Sequence, residues 1–534
     1  MTWRTILPLA FLLILSRTSD AQVYQQLVEA DFGEGRALDV LPNGDLLLGA
    51  RYSDFGVGVN AVQLIRFDQF GQSVWGRIIT SDLDAQGYLI LEDLEVTANG
   101  DVLLVGSHEN GASVDSAFVI RLDENGTVQW ALRFHGNVPA AEKSIAFRAA
   151  EAPNGDVVVM GELASDAGLL QGDLFIARIS SSGVPLWTER VMAPVAGTFD
   201  RSGDLFLPPA GGILIFAQTA LFSEGSWLMM LDDSGVKQWV RKYDTNVSGL
   251  DLRPLRMFPT ASGFDLFYRR NFSISPDIMY RLRTDPSGML MAAQKYELGA
   301  GSGTVNDVAP LSGGGYAIAG DHLAGNTASA VLFLVDGAGV PGWAMSYGTP
   351  GYEGARAVQP ANGGGYLLAG SGEPDSLIFR GGGQIQTYLL KTDPNGLTNL
   401  CEQPETVTMT SEAFTSSTYD QTISSLTGWA QADFSSAQEL ELVSACVPNS
   451  IVEEAKPVLM LHPNPASEFI RLGWTAEESG YAQVSILDLQ GRPVQHVRVP
   501  VNGSVDIRGL APAPYVLLAT TRSSTYKAAF TIVR

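Results

Sequence analysis

The sequence is short of the residues that most enzyme chemistry uses. Only five His and two Cys occur in 534 positions, and no H-E-x-x-H, G-x-S-x-G or Walker-type loop can be found. Neither a metal nor a cofactor is therefore expected, and EF-hand spacing is absent as well. Cationic residues are also scarce, with 34 Lys+Arg against 57 Asp+Glu and a net charge of −23. That balance excludes nucleic acid as a partner, because phosphate backbones select basic surfaces. Long apolar runs are missing too. Ile6 to Leu15 is too short to span a bilayer comfortably, and no other stretch approaches about 20 apolar residues, so no membrane span is expected.

What is abundant is turn and strand. Gly occurs 57 times and apolar residues make up 45% of the chain, enough for a sizeable core. At the start, Arg4 precedes the apolar run, and Ser19-Asp20-Ala21 precedes Gln22. Charged, apolar and small-residue regions in that order describe a secretory signal over residues 1–21. Cys401 and Cys446 form an even pair in an exported chain, which suggests a disulfide worth about 4 kcal/mol at most in the chain-entropy model.

Gly turns recur along residues 22–397: PNGDLLLG at 42–49, ANGDVLLVG at 98–106, PNGDVVVMG at 153–161, SGGGYAIAG at 312–320 and NGGGYLLAG at 362–370, with AGGILIFAQ and ASGFDLFYR between. Each is followed by a second signature. IRFDQFGQSVW ends at Trp75, IRLDENGTVQW at Trp130, ARISSSGVPLW at Trp187, MLDDSGVKQW at Trp239 and LVDGAGVPGW at Trp343; Met289 and Leu397 take the Trp place elsewhere. Seven units of four short strands each describe an all-β, seven-bladed β-propeller. In the second signature Asp123 accepts backbone N–H groups and Gly126 supplies a left-handed position, so the motif reads as a turn and not a cation loop. Ser180 takes the Asp place in the third unit, as a turn tolerates.

These units resemble secreted bacterial propeller repeats of the R-L-D-x-x-G-x-x-x-W type. They differ from the sialidase Asp-box, S-x-D-x-G-x-x-W, by one residue between Asp and Gly. The orphan segment VYQQLVEA (23–30) is expected to complete the last blade as its outer strand, removing an open edge.

Both short turn classes fall on one face and the divergent long loops on the other, where binding is expected. His108, Arg269, Arg270 and His322 are the candidate ligand residues there; no catalytic residue stands out. The leading expectation is a binding or adhesion module for an extracellular glycan or protein. A propeller-type polysaccharide hydrolase or lyase is the alternative.

Residues 398–455 read as a Ser/Thr-rich extension, partly β, with a linker at its end. Residues 456–534 alternate strands and turns in the manner of a small Ig-like β-sandwich. This segment resembles the type A C-terminal sorting domain of the type IX secretion system. His462-Pro463-Asn464-Pro465-Ala466 matches its opening, Ile486 to Gly491 with Asp488 its centre, and Tyr515 and Lys527 its later positions. The resemblance implies the type IX machinery as partner and a destination outside a Gram-negative bacterium, secreted or on the outer-membrane surface.

Overall fold

The computed structural model describes residues 24–28, 32–54, 59–69, 71–81, 88–109, 116–135, 143–164, 172–192, 199–220, 225–245, 252–270, 277–299, 302–324, 327–348, 353–372, 385–398, 402–432, 434–437, 442–444, 459–462, 466–474, 481–487, 492–501, 503–521 and 525–533. The leader, both cysteines, Pro463, Asn464, Pro465, Asp488 and Gly491 lie outside them. Every regular element described is a β-strand, and no described helix is long and apolar enough to cross a membrane. The chain separates into two compact units, residues 1–448 and 449–534.

The first unit holds seven five-stranded antiparallel sheets. Their first strands in chain order are Phe32–Val40, Tyr88–Val96, Lys143–Glu151, Phe199–Phe206, Leu252–Thr260, Ser302–Pro310 and Glu353–Pro360. From here on these are the inner strands of sheets one to seven. Neighbouring sheets pack on one another in order, and the seventh packs on the first. Gln359 Nε2 donates to the Leu38 carbonyl at 3.3 Å across that junction, and Lys391 Nζ donates to the Gln69 carbonyl at 2.7 Å. This is the β-propeller arrangement.

The seventh sheet takes its fourth strand from the opposite end of the unit. Tyr24–Val28 pairs with Gln386–Lys391, from Tyr24 opposite Lys391 to Val28 opposite Thr387. It is not the outermost strand, however, because Leu442–Ser444 pairs on its far side. The same holds in every sheet. The Ser/Thr-rich segment supplies a fifth strand to all seven, visiting the sixth, fifth, fourth, third, second, first and seventh in turn. It runs around the ring as a belt, against the chain order of the sheets. Four strands per sheet were expected from the repeat; the belt adds the fifth by covering edges that would otherwise offer unpaired N–H and C=O groups.

The second signature locks neighbouring sheets together at five of the seven junctions. Asp123 Oδ1 accepts the Asn125 and Thr127 N–H groups at 2.9 and 2.8 Å, and Ser180 Oγ accepts Val184 N–H at 3.0 Å in the equivalent turn. Trp130, at the end of one turn, lies against Gly183 in the turn of the following sheet and donates from Nε1 to the Ser181 carbonyl at 3.0 Å. Trp75 meets Gly126, Trp187 meets Gly235, Trp239 meets Gly288 and Trp343 meets Gly396 in the same way.

In the second unit, Leu459–His462, Phe469–Trp474 and Ser504–Asp506 form a three-stranded sheet. Tyr481–Leu487, Pro493–Pro500, Pro514–Thr520 and Thr525–Thr531 form a four-stranded one. Ile470 and Leu472 from the first sheet share one buried core with Val484, Ile486, Leu517 and Phe530 from the second. Tyr515 stacks on Phe530 and donates its hydroxyl to the Ala511 carbonyl at 2.9 Å. The backbone of Lys527 pairs opposite Leu518.

The Trp–Gly lock makes a direct prediction. Gly183 has φ +79°, and a Cβ there would fall 2.8 Å from Trp130 Cγ. Gly183→Ala should cost about 1–3 kcal/mol through strain and overpacking, read as a fall of several degrees in Tm. Gly313→Ala, whose Cβ would meet nothing within 4 Å, should leave Tm unchanged. Equal Tm values for the two variants would contradict the lock.

Candidate functional site

All seven inner strands share one irregularity. Each slips by one residue against its neighbour, and the inserted residues are Arg36, Glu92, Phe147, Gly203, Leu255, Asn306 and Arg356. A β-bulge turns the extra residue out of the ladder and re-aims it. Here all seven line the same cavity, about 450 Å³ in volume, at the centre of the seven sheets.

The residue after each bulge builds a second level. Asp93, Arg148, Asp204, Arg256 and Asp307 occupy it in five consecutive sheets, with Ala37 and Ala357 completing the ring. The charges alternate, and each arginine bridges two acids. Arg148 lies 3.6 Å from Asp93 and 3.2 Å from Asp204, while Arg256 lies 3.7 Å from Asp204 and 2.7 Å from Asp307. The acids also cap the neighbouring inner strand: Asp204 accepts Met257 N–H at 2.7 Å and Asp307 accepts Val358 N–H at 2.9 Å. Asp39 does the same for Val96 at 2.8 Å, and Glu95 for Glu151 at 3.1 Å. These groups sit toward the tight-turn end of the inner strands.

At the opposite end, near the start of the inner strands, the balance changes. Arg201 and Arg253 each stand two residues before a bulge, and both line the cavity with Arg269. Arg253 and Arg269 are direct cross-strand partners. Around the mouth, Glu34 pairs with Arg36 at 3.1 Å and Arg356 at 3.3 Å. Asn306 Oδ1 accepts Arg356 Nη1 at 3.3 Å and Arg269 Nη1 at 3.5 Å. Glu162 accepts both the N–H and the hydroxyl of Ser202, at 2.7 and 3.0 Å. Among the described residues, seven arginines, four carboxylates and no lysine line the cavity.

Of the four candidate ligand residues, the cavity contains Arg269. Arg270, its neighbour on the strand, is half-buried and is not part of the lining. His108 and His322 are buried, in the second and sixth sheets. His322 Nδ1 lies 3.0 Å from Glu405 on the belt, which also accepts the Ser346 hydroxyl at 2.8 Å. His322 thus ties the belt to the sixth sheet. The cavity's other arginines were not singled out from sequence, although Arg and Asp alternate at one repeat position, a signal that a register including the bulge exposes.

No family model matches the sequence, and none of the curated proteins matches it. Among solved structures, a protein of unknown function from Dyadobacter fermentans aligns over 70% of this chain and 98% of its own, with 11% identity and a TM-score of 0.40. The GH93 α-L-arabinofuranosidase of Fusarium graminearum, in complex with arabinobiose, aligns over 69% and 98%, with 10% identity and a TM-score of 0.41. The NanB sialidase of Streptococcus pneumoniae aligns over 71% and 70%, with 11% identity and a TM-score of 0.37.

Burial dominates the titration of the axial carboxyls. It holds Glu95 up at about 8 and Asp39 up at about 6, against the pull of the backbone N–H groups each accepts. Glu92, Asp93 and Glu162 are raised for the same reason, with the nearby arginines pulling the other way. A carboxyl whose folded-state pKa is raised holds a proton that the unfolded chain has already released. Its contribution to stability is full below the ordinary carboxyl value and is lost as pH rises through the folded value. The protein should therefore lose stability from about pH 4 to about pH 8. Glu95→Gln should flatten that decline and raise Tm most at the alkaline end, as melting curves across the range would show. A mutant profile parallel to the parent would refute the assignment.

Proposed function

We propose that the chain is a secreted seven-bladed β-propeller that binds an extracellular ligand in its central cavity, entering from the long-loop end. The observation behind this reading is the convergence of seven bulged residues on one arginine-rich cavity. Acids and arginines at the tight-turn end satisfy one another, whereas Arg201, Arg253, Arg269 and Arg356 gather at the long-loop end. Glycan or protein ligands both remain within this reading.

The second unit is the address. Its two sheets around one core suit a small Ig-like sandwich, and its motif resemblance supports a sorting domain that the type IX machinery recognises. The signal at residues 1–21 precedes it in the export route. In that oxidising destination Cys401 and Cys446 pair. The strands beside them, Glu402–Glu405 and Leu442–Ser444, belong to the neighbouring sixth and seventh sheets, so the bond joins the two ends of the belt.

A hydrolase is the second reading, favoured by one observation: Glu92 and Glu162 line the cavity with raised carboxyl pKa values, as a proton-donating acid needs. A glycan and peptide array probed with the full-length chain, followed by product analysis of each hit, separates the two. Retention of intact ligand supports binding; turnover would replace that reading with the hydrolase, and no hit at all would sink both.

Export and the belt bond have their own tests. In a host with type IX machinery, deletion of residues 457–534 should abolish surface or medium localisation; undiminished delivery would overturn the address. Mass mapping of the exported protein should find Cys401 joined to Cys446, and reduction should lower its Tm. Two free thiols would contradict the closed belt.

A further inference from the structure

The seven bulged residues are sorted around the axis. Asn306, Arg356, Arg36 and Glu92 come from the sixth, seventh, first and second sheets, which are consecutive in the ring. Phe147, Gly203 and Leu255 come from the third, fourth and fifth. The cavity therefore has a polar wall and an apolar wall facing each other. Gly203 leaves no gap in the apolar wall, because Pro254 of the fifth sheet occupies the place a side chain there would take. Phe147 is half-buried and is the one aromatic in the described lining.

The polar wall is a single chain of contacts. Asn306 Oδ1 accepts Arg356 Nη1 at 3.3 Å, and Glu34 lies 3.3 Å from Arg356 and 3.1 Å from Arg36. Arg36 in turn lies 3.9 Å from Glu92. Guanidinium and carboxyl groups are interleaved, so an anion or a cation would meet repulsion as well as attraction. The arginines at the mouth are matched too: Glu162 acts on Arg201 and Arg253, and Asp321 acts on Arg269. Pairing does not exhaust such groups, since a guanidinium keeps further N–H donors and a carboxylate further lone pairs. The Arg36, Glu92 and Arg356 side chains stay 27%, 21% and 33% exposed.

We propose that this level of the cavity is a subsite for one neutral sugar ring, its C–H face against Phe147 and its hydroxyls toward Arg36, Glu92, Asn306 and Arg356. The proposal rests on the binding reading above and selects the glycan within it. A sugar ring is itself two-sided, with C–H groups on a face and hydroxyls around its edge. Each hydroxyl both donates and accepts, so it can use arginine and glutamate in the same wall. The space, about 450 Å³, has room for such a ring. Phe147 and Leu255 directly precede Arg148 and Arg256 of the ion-pair ladder. Covering that ladder would need only apolar bulk, whereas stacking on a sugar needs a flat face.

The test places the full exported chain on an array of neutral oligosaccharides, acidic oligosaccharides and peptides, and titrates each hit by calorimetry. Neutral oligosaccharides should bind. Their affinity should change less than about twofold between about 20 and about 300 mM salt, because no net charge is exchanged. Phe147→Leu keeps the bulk and loses the flat face; it should lower affinity about three- to tenfold while leaving Tm within a few degrees of the parent. Phe147→Tyr should keep the parent's affinity to within about twofold.

Full affinity in Phe147→Leu, an equal loss in Phe147→Tyr, or a severalfold weakening by salt would each overturn the subsite. Turnover of a neutral hit would leave the subsite in place and assign it to the hydrolase. Hits confined to acidic oligosaccharides or peptides would overturn the subsite while leaving the binding module standing. Absence of any hit would remove the module itself.

Discussion

Seven sheets that converge on one axis enclose a central channel whose lining the inner strands must supply. The bulge on each inner strand resolves this by one inserted residue per sheet, aimed at the axis. Charge then becomes the governing constraint. A lone buried ion is costly, but an ion shared between two opposite neighbours and a backbone N–H is tolerable. Asp204 has both arginine neighbours and the Met257 N–H. The alternation runs through sheets two to six and stops at Ala37 and Ala357. The ring is thus uncharged at this level where the first and last sheets meet, and that junction is linked instead by Glu34–Arg356 near the mouth and by the Gln359–Leu38 and Lys391–Gln69 contacts.

The same geometry that narrows the axis spreads the sheets at the rim. Each outer edge would be an invitation to pair with another chain, and the belt answers it with one short strand per sheet. Its composition follows from its place. An outermost strand has one face on the sheet and one in water, and residues such as Val407–Ser411 alternate between half-buried and exposed. Thr and Ser fit such a strand, being compatible with β structure and with solvent. A few aromatics anchor it. Phe434 is buried against Phe118, and Trp429 stacks on Phe134 while donating to Thr188 Oγ1 at 2.9 Å.

Much of this was legible in the sequence because it rests on local chemistry. Asp-x-x-Gly turns ending in Trp, Asn-Gly hairpins and an orphan N-terminal strand each declare themselves within about ten residues. The belt did not, for a physical reason: its strands are three to five residues long and repeat no turn motif, since they are joined to sheets by pairing and not to each other by hairpins. The cavity was hidden for a different reason. A bulge shifts the period-two alternation by one residue, so Arg148, Arg256 and Arg356 read as a break in pattern and not as one face. Arg269 was singled out for its charge in an acidic chain, but sequence alone placed it with solvated loops. His108 and His322 looked like loop ligands because each lies near the end of a strand. Both are buried, and the contact of His322 with Glu405 depends on the belt, which the repeat pattern does not contain.

The two ends of the inner strands consequently carry different burdens. At the tight-turn end, the Trp–Gly contacts and the capped ion-pair ladder fix the angle between neighbouring sheets, and a change in one unit is felt by the next. At the long-loop end, Arg201, Arg253 and Arg269 make no part of that lock. Side chains there can be exchanged without disturbing the turns that set the ring, because the intervening level of paired charges holds the inner strands in place. A facing arginine pair survives in the fifth sheet for the same reason: the ladder beneath it, through Arg256 to Asp204 and Asp307, anchors that strand on both sides. Stability supplied at one end of the axis is what allows two facing arginines to be kept at the other.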